Sequence, residues 1–150
     1  MKRFERLEDL KALVGHSLGS SDWIVVDQRR IEQFADATDD HQWIHVDAQR
    51  AAAGPYRTTI AHGFLTLSLL PPLFESAFEV GDSRMGVNYG LNRVRFPAPV
   101  PSGSRLRGHF KLLSYEPIDG GAQLVTEVTI ECEGVDKPVC VAESVTRRYV

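Results

Sequence analysis

The densest run of reactive side chains is Thr38-Asp39-Asp40-His41-Gln42-Trp43-Ile44-His45-Val46-Asp47. An aspartate and a histidine so close in sequence form an acid/base pair wherever the chain brings them together. The carboxylate orients the ring and favours its protonated form, and the ring's ordinary pKa lies near neutrality. Such a pair could hold one water and move its protons. On an unbroken helix the two would point about 140° apart. Asp40 and His45 can therefore meet only if a helix ends near Asp40 and His45 lies on the loop that follows. The same residues also have a plainer use. Asp39 and Asp40 could cap or end helices, and His45 could be a half-buried, hydrogen-bonded histidine. His41 and His45 share the i, i+4 spacing of paired zinc histidines. No glutamate stands between them, and Trp43 and Ile44 mark a stretch that packs, so no metal is expected.

A second candidate is Ile60-Ala61-His62-Gly63-Phe64, at the start of an apolar segment. A helix start leaves backbone N–H groups without partners. Gly63 has no side chain, so an oxygen that gains negative charge could approach its N–H. Equally, Gly63 could serve only to let the helix start pack tightly. A third stretch, residues 88–100, holds Asn88, Asn92, Arg93 and Arg95. The spacing of the two arginines puts both on one strand face, suited to a phosphate-rich ligand or to an ordinary solvated surface.

The elements that must position these residues follow from periodicity. Phe4, Leu7, Leu10 and Val14 fall at helical spacing. Residues 18–26 read as a strand ending in Trp23-Ile24-Val25-Val26. Asp27 is placed to cap a helix carrying Ile31, Phe34 and Ala35 on one face, and Asp47 to cap a short one closed by Gly54 and Pro55. Residues 62–70 are apolar nearly all round, which marks a buried helix. Pro71 and Pro72 predict a kink or break, with a further turn or two over residues 73–79. Strands follow at 84–96, 103–115, 123–133 and 139–150, with a turn at Asp119-Gly120-Gly121. Leu106, Gly108, Phe110 and Leu112 share one face of their strand; Arg105, Arg107, His109 and Lys111 share the other. A helix-rich first half and a strand-rich second half give an α+β chain with an antiparallel sheet.

Composition narrows the function classes. The chain has 150 residues, 43% hydrophobic and 25% charged, with a net charge of −3. That is the size and balance of one globular domain, assigned to residues 1–150. A mild negative charge argues against nucleic acid as partner. Cys132 and Cys140 have neither CxxC nor zinc-ribbon spacing and read as free thiols. No segment reads as membrane-spanning, and the first residues lack the apolar core of a signal peptide, so a cytoplasmic location is expected.

Asp40 to His45, followed by Ala61-His62-Gly63, resembles the MaoC-like (R)-specific enoyl-CoA hydratase family. Its pattern runs G-D-x-N-P-hydrophobic-H, then A-H-G at the start of the central helix. Asp40 and His45 match the pattern's Asp and His, and His62-Gly63 its H-G. Residues 88–100 resemble the nodulation-protein-N-like branch, as does Gln42-Trp43 in place of Asn-Pro; Asp39 stands in place of Gly. The resemblance implies a hotdog fold, a long central helix wrapped by a curved antiparallel sheet. It implies a homodimer with acyl-CoA near the interface, and reversible syn addition of water to trans-2-enoyl-CoA to give (R)-3-hydroxyacyl-CoA. Asp40 and His45 would be catalytic, and the Gly63 N–H would bind the enolate-like oxygen. Gln42, His62, Asn88, Asn92 and Arg93 are candidates to touch substrate. No metal or redox cofactor is required, since coenzyme A belongs to the substrate. Trp43 or a residue near Pro71 could limit acyl length.

Two other activities remain open. A hotdog thioesterase would use a carboxylate in or near the central helix, where this chain offers Glu75 and Glu79. A non-catalytic acyl-CoA-binding protein would bind the thioester without converting it.

Overall fold

The structure is a computed structural model that describes all 150 residues. Strands β1 (Lys2–Phe4), β2 (Ser17–Ser20) and β3 (Ile24–Val26) precede three helices, α1 (Gln28–Thr38), α2 (Trp43–Val46) and α3 (Ala48–Ala52). Helices α4 (Gly63–Ser68) and α5 (Leu70–Ala77) come next, then β4 (Phe78–Val80), β5 (Met85–Arg95), β6 (Ser104–Ile118), β7 (Gly121–Cys132) and β8 (Cys140–Tyr149).

The main sheet is antiparallel in the order β2-β6-β7-β8-β5, with β3 also on β6. Period-2 alternation produces it. Every second residue of β7 is buried, and Leu106, Gly108, Phe110 and Leu112 of β6 are buried on the same side. That inner face wraps α4 and α5. Phe110 stacks on Phe74 of α5 with ring centroids 4.2 Å apart, and Leu65, Leu69, Leu70 and Leu73 join the same buried cluster. The expected helix wrapped by a sheet, the hotdog arrangement, is present.

The central helix is two pieces. The break falls at Leu69, before the prolines. Pro71 and Pro72 then occupy the first turn of α5, where a missing N–H costs nothing. The second piece therefore starts at Leu70 and stops at Ala77, and Glu79 leaves the helix for β4.

Two local expectations give way to pairing. In place of an amphipathic N-terminal helix, residues 2–4 form β1, parallel to β4. A 3₁₀ turn (Leu7–Leu13) follows, with Leu7 and Leu10 buried and Val14 exposed. Asp82 fixes this turn by accepting from the Leu7 N–H at 2.8 Å. The first long strand is likewise split. At Ser21, between β2 and β3, the side-chain oxygen and not a backbone carbonyl accepts the Gly108 N–H of β6 at 2.8 Å. Asp27 and Asp47 cap as expected, accepting from the N–H groups of Arg30 and Arg50.

At one edge of the sheet, β5 has no neighbour on its outer side. β5 is exposed along almost its whole length, including Met85, Val87, Tyr89 and Leu91. No helix is long and apolar enough to cross a membrane.

Candidate active site

The pair is assembled by a broken helix path. α1 stops because Asp39 takes the left-handed conformation (φ 58°), which aspartate tolerates better than most residues. The Asp40 N–H closes this end onto the Ala35 carbonyl at 3.1 Å. The chain then restarts in the single turn of α2, so His45 lies on a short helix and not on a loop. The change of axis between residues 39 and 42 removes the 140° separation. A carboxylate oxygen of Asp40 and ring nitrogens of His45 and His62 lie within 4.8 Å of one another.

His45 is buried, with 6% of its surface exposed. Its Nδ1–H donates to the Ile60 carbonyl at 2.7 Å, which leaves Nε2 bare in the neutral ring. Burial pushes its pKa below the ordinary 6.5; the Ile60 bond opposes this, nearby His62 adds to it, and Asp40 opposes it. Burial therefore favours the neutral form of His45.

Three more bonds hold that ring in place. The Ile60 N–H donates to the Ile44 carbonyl at 3.0 Å. Gln28 donates through Nε2 to the His45 carbonyl at 2.8 Å, and Thr59 donates its hydroxyl to Gln28 Oε1 at 2.6 Å. Gln28 and Thr59 were not among the sequence candidates. The only sequence signal was a polar pair, Thr58-Thr59, beside an apolar helix start.

His62 is brought to the same place. It is 3% exposed, and its Nε2–H donates to the Asp40 carbonyl at 3.0 Å. Its ring stacks on His45 with centroids 3.8 Å apart, while Phe34 of α1 packs 4.9 Å away. Its Nδ1 is buried without a partner. Gly63 follows as the first residue of α4, so its N–H has no acceptor inside the helix. A Cβ on Gly63 would meet the Phe96 ring at 3.0 Å, so any larger residue here would have to displace that ring. Gln42 is exposed, and its backbone N–H reaches Asp40 Oδ1 at 3.4 Å.

The three side chains do not fit a cation as arranged. An imidazole ligates along its ring plane at about 2.0–2.1 Å. Stacked rings only 24° from parallel cannot aim two lone pairs at one ion. His41 points elsewhere, to Asp36 at 2.8 Å.

Other candidates lie apart from the pair within the chain. A cavity of about 530 Å³ runs between α4, α5, β5 and β8, lined by Leu67, Leu70, Pro71, Phe74 and Asn88 among others. Glu75 and Arg148 also face it. Arg93 and Arg95 line a second cavity with Glu127 and Glu143. Asn92 is the extra residue where the β5–β8 register shifts. No hydrogen bond joins Asn88, Asn92 or Arg93 to the pair. Trp43 packs on Gly54 and Arg50, away from the large cavity. Glu79 is paired with Arg3 at 3.4 Å.

A buried histidine and an aspartate thus meet at the start of a sheet-wrapped helix, in a protein of hotdog architecture. The profile of the MaoC-like domain family matches residues 9–134. The chain is 53% identical over 148 residues to 3-hydroxyacyl-thioester dehydratase Z of Mycobacterium tuberculosis, covering 98% of each. It is 50% identical over 144 residues to nodulation protein N of Rhizobium leguminosarum bv. viciae, covering 93% of this chain and 89% of that one. The solved MaoC-like dehydratase from Rhodospirillum rubrum superposes with a TM-score of 0.76 at 21% identity, over 98% and 99% of the two chains. The chain thus belongs to the MaoC-like family and is a hydro-lyase.

Proposed function

We propose that the protein is an (R)-specific enoyl-CoA hydratase, adding water reversibly to trans-2-enoyl-CoA to give (R)-3-hydroxyacyl-CoA. The observation that carries this reading is the bare Nε2 of a buried, neutral His45 beside the Asp40 carboxylate. The name of the mycobacterial relative, a 3-hydroxyacyl-thioester dehydratase, supports it.

In this mechanism Asp40 and His45 hold one water. His45 Nε2 takes a proton as the water oxygen bonds to C3. The C2–C3 π electrons move toward the thioester, and the carbonyl oxygen becomes an enolate oxygen held by the Gly63 N–H. The enolate then collapses as C2 takes a proton back from the pair on the same face, which makes the addition syn. Asp40 steadies the imidazolium formed midway. A positioned acid/base group contributes about 10²–10⁴ in rate, and one oxyanion donor about 10²–10³. The sequence is redox-neutral and calls on no metal or redox cofactor; coenzyme A is part of the substrate.

The groove along α4 and α5 begins one helical turn past Gly63 and gives an acyl chain an apolar bed at Leu67, Leu70 and Phe74. The protein acts as a homodimer in this reading. The open edge of β5, with Val87, Tyr89 and Leu91 exposed, is the kind of edge that a second copy must cover. A soluble CoA thioester as substrate suits a cytoplasmic location.

The test is loss of the conjugated enoyl-thioester absorbance on adding the protein to crotonyl-CoA. Turnover to (R)-3-hydroxybutyryl-CoA with no free thiol is expected. Free thiol would mean a thioesterase. Binding without conversion of short and long enoyl-CoAs would mean an acyl-CoA-binding protein.

A further inference from the structure

We propose that His62 is a positioning residue that clamps the catalytic pair, holding the Asp40 peptide through its Nε2–H and carrying the His45 ring on its face. This rests on the Asp40/His45 reading above.

His62 is bonded to one member of the pair and stacked on the other. A backbone carbonyl can only accept, so the 3.0 Å contact to the Asp40 oxygen places the hydrogen on Nε2. That bond ties down the carbonyl of the residue after the left-handed turn at Asp39, whose N–H alone is held by α1 through Ala35. The other face of the clamp is the stack. The His45 ring is held along its edge by the Ile60 carbonyl and across its plane by His62, 3.8 Å away. Phe34 backs His62 from α1, so the order Phe34, His62, His45 links the first helix to the base.

The unpartnered Nδ1 of His62 fits this role. It is buried with nothing to bond, which costs free energy for any polar group taken from water. An apolar ring would avoid that cost in the stack but would lose the donor to Asp40. The orphan atom follows from using a histidine where both a flat face and a donor at Nε2 are needed. Neither use puts His62 in contact with substrate.

Three variants separate the two uses. His62→Phe keeps the face and loses the donor, His62→Gln keeps a donor near the Nε2 position and loses the face, and His62→Ala loses both. Misplacing reacting groups by about 1 Å can cost about 10²-fold. The expected order of kcat on crotonyl-CoA is therefore Ala lowest, about 10–100-fold below the parent, with Phe and Gln each recovering part. KM should stay within about twofold, since a positioning residue acts on turnover. A folded His62→Ala with parental kcat overturns the proposal, as does a rise in KM at parental kcat, which would make His62 a substrate contact.

Nitrogen-15 spectra of the histidines in the parent protein test the geometry without any variant. The Nε2–H tautomer at His62 and the Nδ1–H tautomer at His45 are expected; Nδ1–H at His62 breaks the clamp. If the parent does not hydrate enoyl-CoA, the functional reading falls, while the tautomers still decide the clamp.

Discussion

Two of the places where the protein sets a histidine near a carboxylate differ sharply. On the outer face of the sheet, His109 has both nitrogens engaged: Nδ1 with Ser20 at 2.7 Å and Nε2 with Glu131 at 3.0 Å. Glu131 also accepts from Arg107 at 2.6 Å. Partial burial opposes the shift, but the bonds from Arg107 and His109 hold the Glu131 carboxyl below its ordinary range. At the helix mouth, His45 is buried and has only one nitrogen engaged. The chemical groups are the same, an imidazole and a carboxylate. A fully satisfied, solvated pair has nothing left to offer a substrate, whereas a buried ring with a bare nitrogen has lost water and kept a lone pair. Reactivity lies in that unused valence.

The sharpest way to break the comparison is to delete each pair in turn. Asp40→Asn and His45→Gln should each lower kcat by about 10²–10⁴-fold, read as the rate of absorbance loss with crotonyl-CoA. His109→Gln, which removes the other histidine, should leave kcat and KM at parental values. A large loss in His109→Gln, in a protein of unchanged thermal midpoint, would move the chemistry to the sheet face.

A second, smaller effect separates the regions by pH. Burial lowers the His45 pKa below 6.5, so the neutral base survives at pH 6.5 and is lost as pH falls through the folded value. The acid limb of kcat/KM should therefore have its midpoint below pH 6.5. The sign for stability agrees. Below about pH 6.5 the unfolded chain takes up a proton at this residue before the folded one does, so stability falls as pH drops. The parent should lose more stability between pH 6.5 and 5 than His45→Gln. An acid limb above pH 6.5 would contradict a desolvated base.

Much of this could be read from local pattern. β6 and β7 were legible because one face is buried, and a period of two then writes itself into Leu106, Phe110 and Leu112. The helix caps at Asp27 and Asp47 were legible because capping acts within three residues. Asp40, His45 and His62 stood out by type and spacing, and the fold brings them together. What local pattern could not show depends on distant partners. The first residues form β1 only because β4 offers them an edge. Gln28 supports His45 across 17 residues, and Thr59 supports Gln28 across 31. A side-chain hydrogen bond across such a gap leaves no period in the chain.

The smallest effect compares the supports beneath the two histidines. Glu131→Gln weakens an ion-pair cluster on a solvated sheet face, where exposed pairs typically contribute about 0.2–1 kcal/mol and are screened by salt. Arg107 also lies 4.5 Å from the Trp23 ring, so its side chain keeps a partner without Glu131. Thr59→Val acts differently. Thr59 is 5% exposed, and valine matches its shape but leaves the half-buried Gln28 without its donor, a loss of about 0.5–1.5 kcal/mol for a hydrogen bond. Urea midpoints should therefore fall further for Thr59→Val than for Glu131→Gln, and only the Glu131→Gln difference should shrink at high salt. Thr59→Val should also lower kcat modestly, because Gln28 carries the His45 carbonyl. The reverse order of midpoints would mean that the sheet-face cluster, and not the buried strut, holds the fold together near the site.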